Sequence, residues 1–423
     1  MAGSGRVLTM STLAFTLLFA VWLQFGILQD PIAREFGLTT TQIAWLIAVP
    51  ALNGSLWRLL TGIMADWWGG RVTMAGLMLL TAVPTFGVVF ADADAGRGFW
   101  YLLLFAFGIG LAGNSFTIGT AWNSAWFPPG RQGLALGVFG AGNVGASVTK
   151  LVAPGLLAAI PAVGWLAAVG LDNWRLVPVC YSLLLVAAAA AVWVITPRED
   201  RKPSAGIPLR KMLRPLRELR VWRFSLYYVV VFGAYVALSG WMPKFYTAVF
   251  DVPLALAGLL TSLFIFPASL LRPLGGWLAD RFGARGVLWA SFAIMAISSA
   301  AMCFGLDLAW FTVALVALGV GMGVGKAAVY KHVAAYYPAD VGAVGGLVGC
   351  LGGLGAVVLP LAFAYLDEWT AWGIQVSTFG TMTALVIVTT AWMGAVIYRM
   401  ARKDKNTEDL VTKGLAQEYS PVQ

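Results

Sequence analysis

The chain has 423 residues, 60% of them hydrophobic and 11% charged, with a net charge of +9 and a mean hydropathy of +0.80. So apolar a chain cannot clothe itself in a water-compatible surface, which excludes a soluble globular protein and leaves an integral membrane protein. A β-barrel is excluded too, because its strands would read as short alternating segments rather than long apolar runs.

A helical span needs about 20 mostly apolar residues. Twelve such runs follow one another: 7–28, 40–64, 72–91, 99–122, 131–157, 175–196, 224–248, 254–279, 286–306, 308–331, 341–366 and 374–399. The first is read as a retained span, being too long for a signal-peptide core and lacking a small-residue cleavage site before a polar mature sequence. Cys180, Cys303 and Cys350 fall inside spans, where packing is expected of them and neither a disulfide nor a metal role.

The second run holds one permanent charge, Arg58, in SLWRLLTGIMAD, eight residues before Asp66. That is about 12 Å along a helix, hence near the midplane of a hydrocarbon core about 30 Å thick. Such an arginine costs on the order of 2.5 to 3.5 kcal/mol to insert and marks a functional site that needs a partner. Snorkelling to the interface is the competing reading, weakened by the depth. The following turn reads G-x-x-x-D-x-x-G-x-R, ending in Asp66 and Arg71. Its glycines suit a tight turn, and its Asp and Arg can pair across a helix end, so it is read as a topological staple.

The fourth and fifth runs carry GNSFTIGTAWNSAWFPPGRQGLALGVFGAGNVGAS (113–147), with Phe116, Asn143, Gly137, Gly140, Gly142 and Gly145. Small residues at this density let helices approach closely, and generic membrane packing would explain the glycines alone. Lys150 is expected to snorkel outward from the far end of the fifth span.

Between the sixth and seventh runs, 197–223 holds nine basic residues against three acidic ones. Arg71, Arg131, Arg281, Arg285 and the basic tail fall on the same side, while Asp30, Glu35, Asp92, Asp94, Asp172, Asp307, Asp367 and Glu368 fall opposite. By the positive-inside rule both termini are expected on the cytoplasmic side, and the excess charge reports topology rather than a nucleic-acid partner. The expected domains are a six-span half (1–196), a basic linker (197–223), a second six-span half (224–399) and a cytoplasmic tail (400–423) whose polar composition reads as disorder.

The second half repeats the first. A shift of 214 residues lays RLLTGIMADWWGGR (58–71) on RPLGGWLADRFGAR (272–285), matching Arg58 with Arg272, Asp66 with Asp280 and Arg71 with Arg285. Arg272 therefore reaches the same depth as Arg58. No span holds Asp or Glu away from its ends, so two guanidinium forks face the midplane without an internal counter-ion, an arrangement suited to a small oxyanion. Span 10 adds Lys326, with interfacial anchoring and titration about equally open to it, and Lys331 and His332 at its mouth. Span 11 is glycine-rich, with Gly349, Gly352, Gly353 and Gly355, and has Gly352-Gly353 where span 5 has Gly142-Asn143.

The repeated loop resembles that of the major facilitator superfamily, and a six-plus-six repeat implies an all-α fold of two pseudo-symmetric bundles with a site between them and alternating access. The two glycine-rich signatures with Arg58 and Arg272 resemble the nitrate/nitrite porter family across all twelve spans. What that resemblance implies is a transporter rather than an enzyme, without cofactor or metal, monomeric, in the cytoplasmic membrane. It implies nitrate or nitrite gripped by Arg58 and Arg272, touched by Asn143, and sandwiched by Phe116 with Tyr228 and Phe232 from span 7. For these rings ordinary core packing is an equal reading. Lys326 resembles the branch that couples nitrate to protons, so nitrate/proton symport is favoured over nitrate/nitrite antiport.

Other readings fare worse. An exchanger of organophosphates or organic acids would need more cationic or hydrogen-bonding groups and a roomier pocket. GIGLAG (108–113) has the spacing of a dinucleotide loop but no strand before it, and GVGMGVGKAA lacks the first glycine and the Ser/Thr of a phosphate loop.

Overall fold

The computed structural model describes residues 2–93, 97–159, 173–202, 217–336 and 341–412, and every regular element among them is helical. The first half comprises α1 (Ala2–Trp22), α2 (Phe25–Phe36), α3 (Thr40–Leu56), α4 (Arg58–Trp68), α5 (Gly70–Gly87), α6 (Gly98–Ile109), α7 (Ser115–Trp126), α8 (Pro129–Gly140), α9 (Gly145–Ala159) and α10 (Leu176–Ile195). The second comprises α11 (Leu219–Tyr228), α12 (Ala234–Phe250), α13 (Leu254–Leu270), α14 (Arg272–Phe282), α15 (Ala284–Ala301), α16 (Leu308–Tyr336), α17 (Val341–Trp369) and α18 (Gly373–Thr412). Asp94, Asp172 and the linker's Arg210, Lys211 and Arg214 lie outside the described residues.

Several spans are broken helices. Among the described residues ten segments are long and apolar enough to cross a membrane, and α13 with α14, bent by 42°, makes eleven. Pro273 removes a backbone donor at that bend. The second expected span, 40–64, is interrupted at Trp57, which leaves its longer piece, α3, with 17 residues. There the cause is the Gly54-Ser55 pair, with a stretched Trp57 N–H to Asn53 bond of 3.5 Å. Shorter irregularities are the 3-10 turns Gly110–Asn114 and Ala141–Val144 and the π turn Val229–Gly233.

Boundaries shift in two places. α11 begins at Leu219, inside the stretch read as linker, and α18 continues to Thr412 into the tail expected to be disordered. No glycine or proline interrupts that tail before Gly414, so the helix has no stop signal.

The repeat seen in the sequence is also a repeat of backbone. Gly69 ends α4 at φ 88°, ψ 152°, and Gly283 ends α14 at φ 82°, ψ 135°. Side chains are strained there, which explains the second glycine of each loop signature. Outward faces carry Leu80, Val83, Leu104, Val194 and Ile297, all exposed, as a lipid-facing surface requires. At the end bearing Asp30 and Glu368 the halves are clasped together. Thr247 donates to Asp30 at 2.9 Å, Thr41 to Glu368 at 2.5 Å, and Gln29 to the Gly240 carbonyl at 3.2 Å.

Candidate functional site

Both midplane arginines are the first residues of broken half-helices. Trp57 (φ −86°, ψ −1°) precedes Arg58, and Leu271 (φ −84°, ψ 4°) precedes Arg272, so the two breaks share one geometry. Each arginine then reaches across to the glycine-rich helix of the opposite half. Arg58 is buried, donates from Nε to the Gly54 carbonyl at 2.8 Å and from Nη1 to the Gly349 carbonyl of α17 at 2.9 Å. A methyl group on Gly353 would sit 3.5 Å from the same Nη1, and one on Gly140 would sit 3.3 Å from Nη1 of Arg272. Glycine at these positions leaves room around both guanidinium groups.

Aromatic faces complete the cations' surroundings. The Arg272 guanidinium lies 5.4 Å from the Phe116 ring, and that of Arg58 lies 5.3 Å from Phe232 and 5.9 Å from Trp22. Tyr228 and Phe232 stack at 4.9 Å and 12°, one across the π turn from the other. These contacts favour cations electrostatically but supply no counter-charge.

Buried polar atoms without hydrogen-bond partners gather here: Nη2 of Arg58, Nη1 of Arg272, both side-chain ends of Asn143 and the hydroxyls of Ser55 and Tyr228. The ion pairs found among the described residues, Arg175 with Glu35 and Lys331 with Asp280, lie elsewhere. Unpaired buried charge costs several kcal/mol as an order of magnitude, and no carboxylate is among the buried residues described.

Lys326 belongs to the same cluster and is fully buried. Its Nζ donates to the Ala268 carbonyl at 2.9 Å and lies 3.2 Å from the centroid of the Tyr235 ring and 5.8 Å from that of Phe232. Tyr235 in turn donates to the Asn143 carbonyl at 3.2 Å and bonds Ser269 at 2.9 Å. Trp22, Tyr235, Ser269 and Tyr330, which packs edge-on against Tyr228 at 5.2 Å, are the members that sequence reasoning missed. The shift of 214 residues could have flagged Ser269, since it pairs with Ser55; no local pattern marks the other three.

The remaining expected residues divide. Of the glycines, Gly137 would meet Pro273 only through an added methyl group, 3.8 Å away, whereas Gly142 and Gly145 pack on Phe15 and Thr16 of α1, and Gly352 and Gly355 pack on Tyr228 and the π turn. In the second loop signature Asp280 and Arg285 bind other residues rather than each other. Arg71 binds the carbonyls of Trp193 and Arg198, and Asp280 pairs with Lys331 because α14 lies beside α16, while Arg285 donates to Tyr336 at 3.3 Å. The side chains of Asp66 and Arg131 lie outside the described residues. His332 is buried and stacked on Phe224, in a pocket it lines with Arg223 and Arg285. Lys150, expected to snorkel, is fully buried and donates to the Ala146 carbonyl at 3.2 Å, since helices of both halves cover it.

Two repeated half-bundles that bring paired arginines together between them have the architecture of a membrane transporter. The major facilitator superfamily profile matches residues 10–266 and 245–418. The probable nitrate/nitrite antiporter NarK1 of Thermus thermophilus is 51% identical over 94% of this chain and 93% of its own. The probable nitrate/nitrite transporter NarK2 of Mycobacterium tuberculosis is 30% identical over 97% and 99%. Among solved structures, an inward-facing, occupied bacterial homologue of the human lysosomal transporter Spinster superposes with a TM-score of 0.74 at 19% identity, covering 95% of this chain and 97% of the other. The chain belongs to the nitrate/nitrite porter family of the major facilitator superfamily, and is therefore a multi-pass membrane transporter rather than an enzyme.

Proposed function

We propose that the protein exchanges nitrate for nitrite, holding either anion between Arg58 and Arg272. The observation that carries this reading is the pair of unpartnered guanidinium nitrogens, one from each half, with no carboxylate among the buried groups around them. Nitrate is planar, weakly hydrated and delocalised, so two planar forks suit it better than point-charge ammonium groups. Phe116 and Phe232 flank the anion, with Tyr228 stacked behind, and Asn143 supplies a neutral donor.

Exchange follows from the charges. With the site empty, Arg58, Arg272 and Lys326 repel one another across the seam, which disfavours closing the halves over it. A bound monovalent anion relieves that repulsion, so the loaded carrier reorients and the empty one does not. Nitrate and nitrite carry the same charge, and a one-for-one swap moves none. The relatives named above as nitrate/nitrite antiporter and transporter support this substrate pair. Nitrate–proton symport is a second reading, favoured by the one fully buried amine at the site, Lys326. The basic linker supports a cytoplasmic-membrane orientation with both termini inside.

Equilibrium binding of nitrate to the purified protein in detergent tests the site. Arg58→Lys and Arg272→Lys are each expected to weaken binding by at least about tenfold, because the fork is lost while the charge stays. Unchanged affinity in both variants would refute the assignment.

A further inference from the structure

Lys150 is a fully buried cation outside the anion site, and its surroundings form a track. Along α8, the 3-10 turn Ala141–Val144 and α9, Gly140, Asn143, Ser147 and Lys150 recur every three or four residues on the side that meets α13. On α13, Gly258, Ser262, Ile265 and Ser269 recur with the same spacing and share one face. The two faces run antiparallel and meet rung by rung. Gly140 faces the Arg272 guanidinium, Asn143 reaches Ser269 through Tyr235, and a methyl group on Gly258 would meet the Lys150 carbonyl at 2.4 Å. The seam thus leads from the arginine centre to Lys150. One helical turn beyond Gly258 it reaches Leu254, which with Asp30, Arg34, Thr247 and Asp251 lines a cavity of about 380 Å³.

Polarity along this seam is not a by-product of the repeat. In the sister seam the 214-residue shift replaces Gly258, Ser262 and Ile265 by Ala44, Ala48 and Ala51. On α17 the positions corresponding to Asn143, Ser147 and Lys150 are Gly353, Val357 and Pro360. Beyond the Ser55/Ser269 pair at the arginine end the sister seam is apolar, whereas this one carries the partnerless amide of Asn143, the partnerless hydroxyl of Ser147 and an amine whose hydrogen bond goes to its own helix. Buried, under-satisfied polar groups in a line are costly unless something polar passes them.

We propose that this seam is the anion's route between the arginine centre and the cavity beside Asp30, with Lys150 as a second, transient binding station for the same small monovalent oxyanion. The proposal rests on the nitrate reading. A single ammonium is a point charge without the bidentate fork, so it holds the anion more weakly than Arg58 and Arg272 do and lets it go.

The test measures nitrate binding at equilibrium and nitrate exchange in proteoliposomes for the wild type, Lys150→Gln, Lys150→Arg and Ser147→Ala. Lys150→Gln is expected to bind within about threefold of wild type yet exchange at least about tenfold more slowly, with Lys150→Arg restoring most of the rate and Ser147→Ala slowing it about two- to fivefold. Wild-type exchange in Lys150→Gln, an arginine variant no faster than the glutamine one, or equal loss of binding and exchange would overturn the proposal. Should Lys150→Gln fail to reach the membrane, wild-type rates in both Lys150→Arg and Ser147→Ala would overturn it equally. A wild-type protein that neither binds nor exchanges nitrate would refute the underlying reading before any variant is compared.

Discussion

The hydroxyl of Tyr235 joins the two halves of the protein, donating to the Asn143 carbonyl in the first and bonding Ser269 in the second, 3.2 and 2.9 Å away. Lys326 packs its ammonium on the face of the same ring. This clasp sits between the anion centre and the seam toward Asp30, and it contributes to keeping that seam shut. Losing one such bond costs about 1 kcal/mol, roughly a fivefold shift in a two-state balance. Tyr235→Phe should therefore make a cysteine placed at Thr247 about fivefold more reactive toward a membrane-impermeant thiol reagent. Unchanged reactivity would mean that the clasp does not bias the conformations.

Lys326 contributes positive charge to the site while holding the carbonyl of Ala268, the counterpart of the Gly54 carbonyl that Arg58 holds for itself. Lys326→Gln should weaken nitrate binding by roughly tenfold, and Lys326→Arg by less, because the charge and donor persist. A glutamine variant of normal affinity whose transport no longer responds to a pH gradient would instead favour the proton-coupled reading.

Arg58 and Arg272 occupy equivalent breaks, so their lysine variants should behave alike in transport. Each is expected to lower nitrate uptake by about one to two orders of magnitude at normal abundance in the membrane. A loss confined to one of them would break the symmetry on which the site rests.

Close helix contacts separate the glycines that packing requires from those that it does not. A methyl group on Gly145 would lie 2.0 Å from the Thr16 carbonyl, whereas one on Gly346 meets nothing within 4 Å. Gly145→Ala should cost about 1 to 3 kcal/mol and lower the thermal midpoint in detergent, while Gly346→Ala should leave it unchanged. Equal midpoints for the two would contradict the packing at α1.

Much of this was legible in the sequence, for identifiable reasons. Continuous apolar runs and a 214-residue repeat are one-dimensional signals, and they located the spans, the paired arginines and the glycine-rich helices. Helix breaks were not legible, because Trp57 and Leu271 are ordinary residues in apolar runs whose geometry comes from neighbours such as Gly54, Ser55 and Pro273. The partners of Lys150, Lys326 and His332 were hidden as well. Burial of such a group depends on which helices cover it, from the other half for Lys150 and from its own half for Lys326 and His332, and hydropathy along one helix cannot report that. Tyr235 was missed because one aromatic among many on span 7 carries no mark of the seam that it bridges.

Counterflow of labelled nitrate in proteoliposomes tests the central claim most directly. Vesicles are loaded with nitrite, nitrate, phosphate or an organic acid, with and without an imposed pH gradient. The expected result is uptake driven by internal nitrite or nitrate, indifferent to the gradient and absent with the other two. Accumulation driven by the gradient without a counter-anion would contradict exchange in favour of symport, and counterflow against phosphate or the organic acid alone would contradict the substrate.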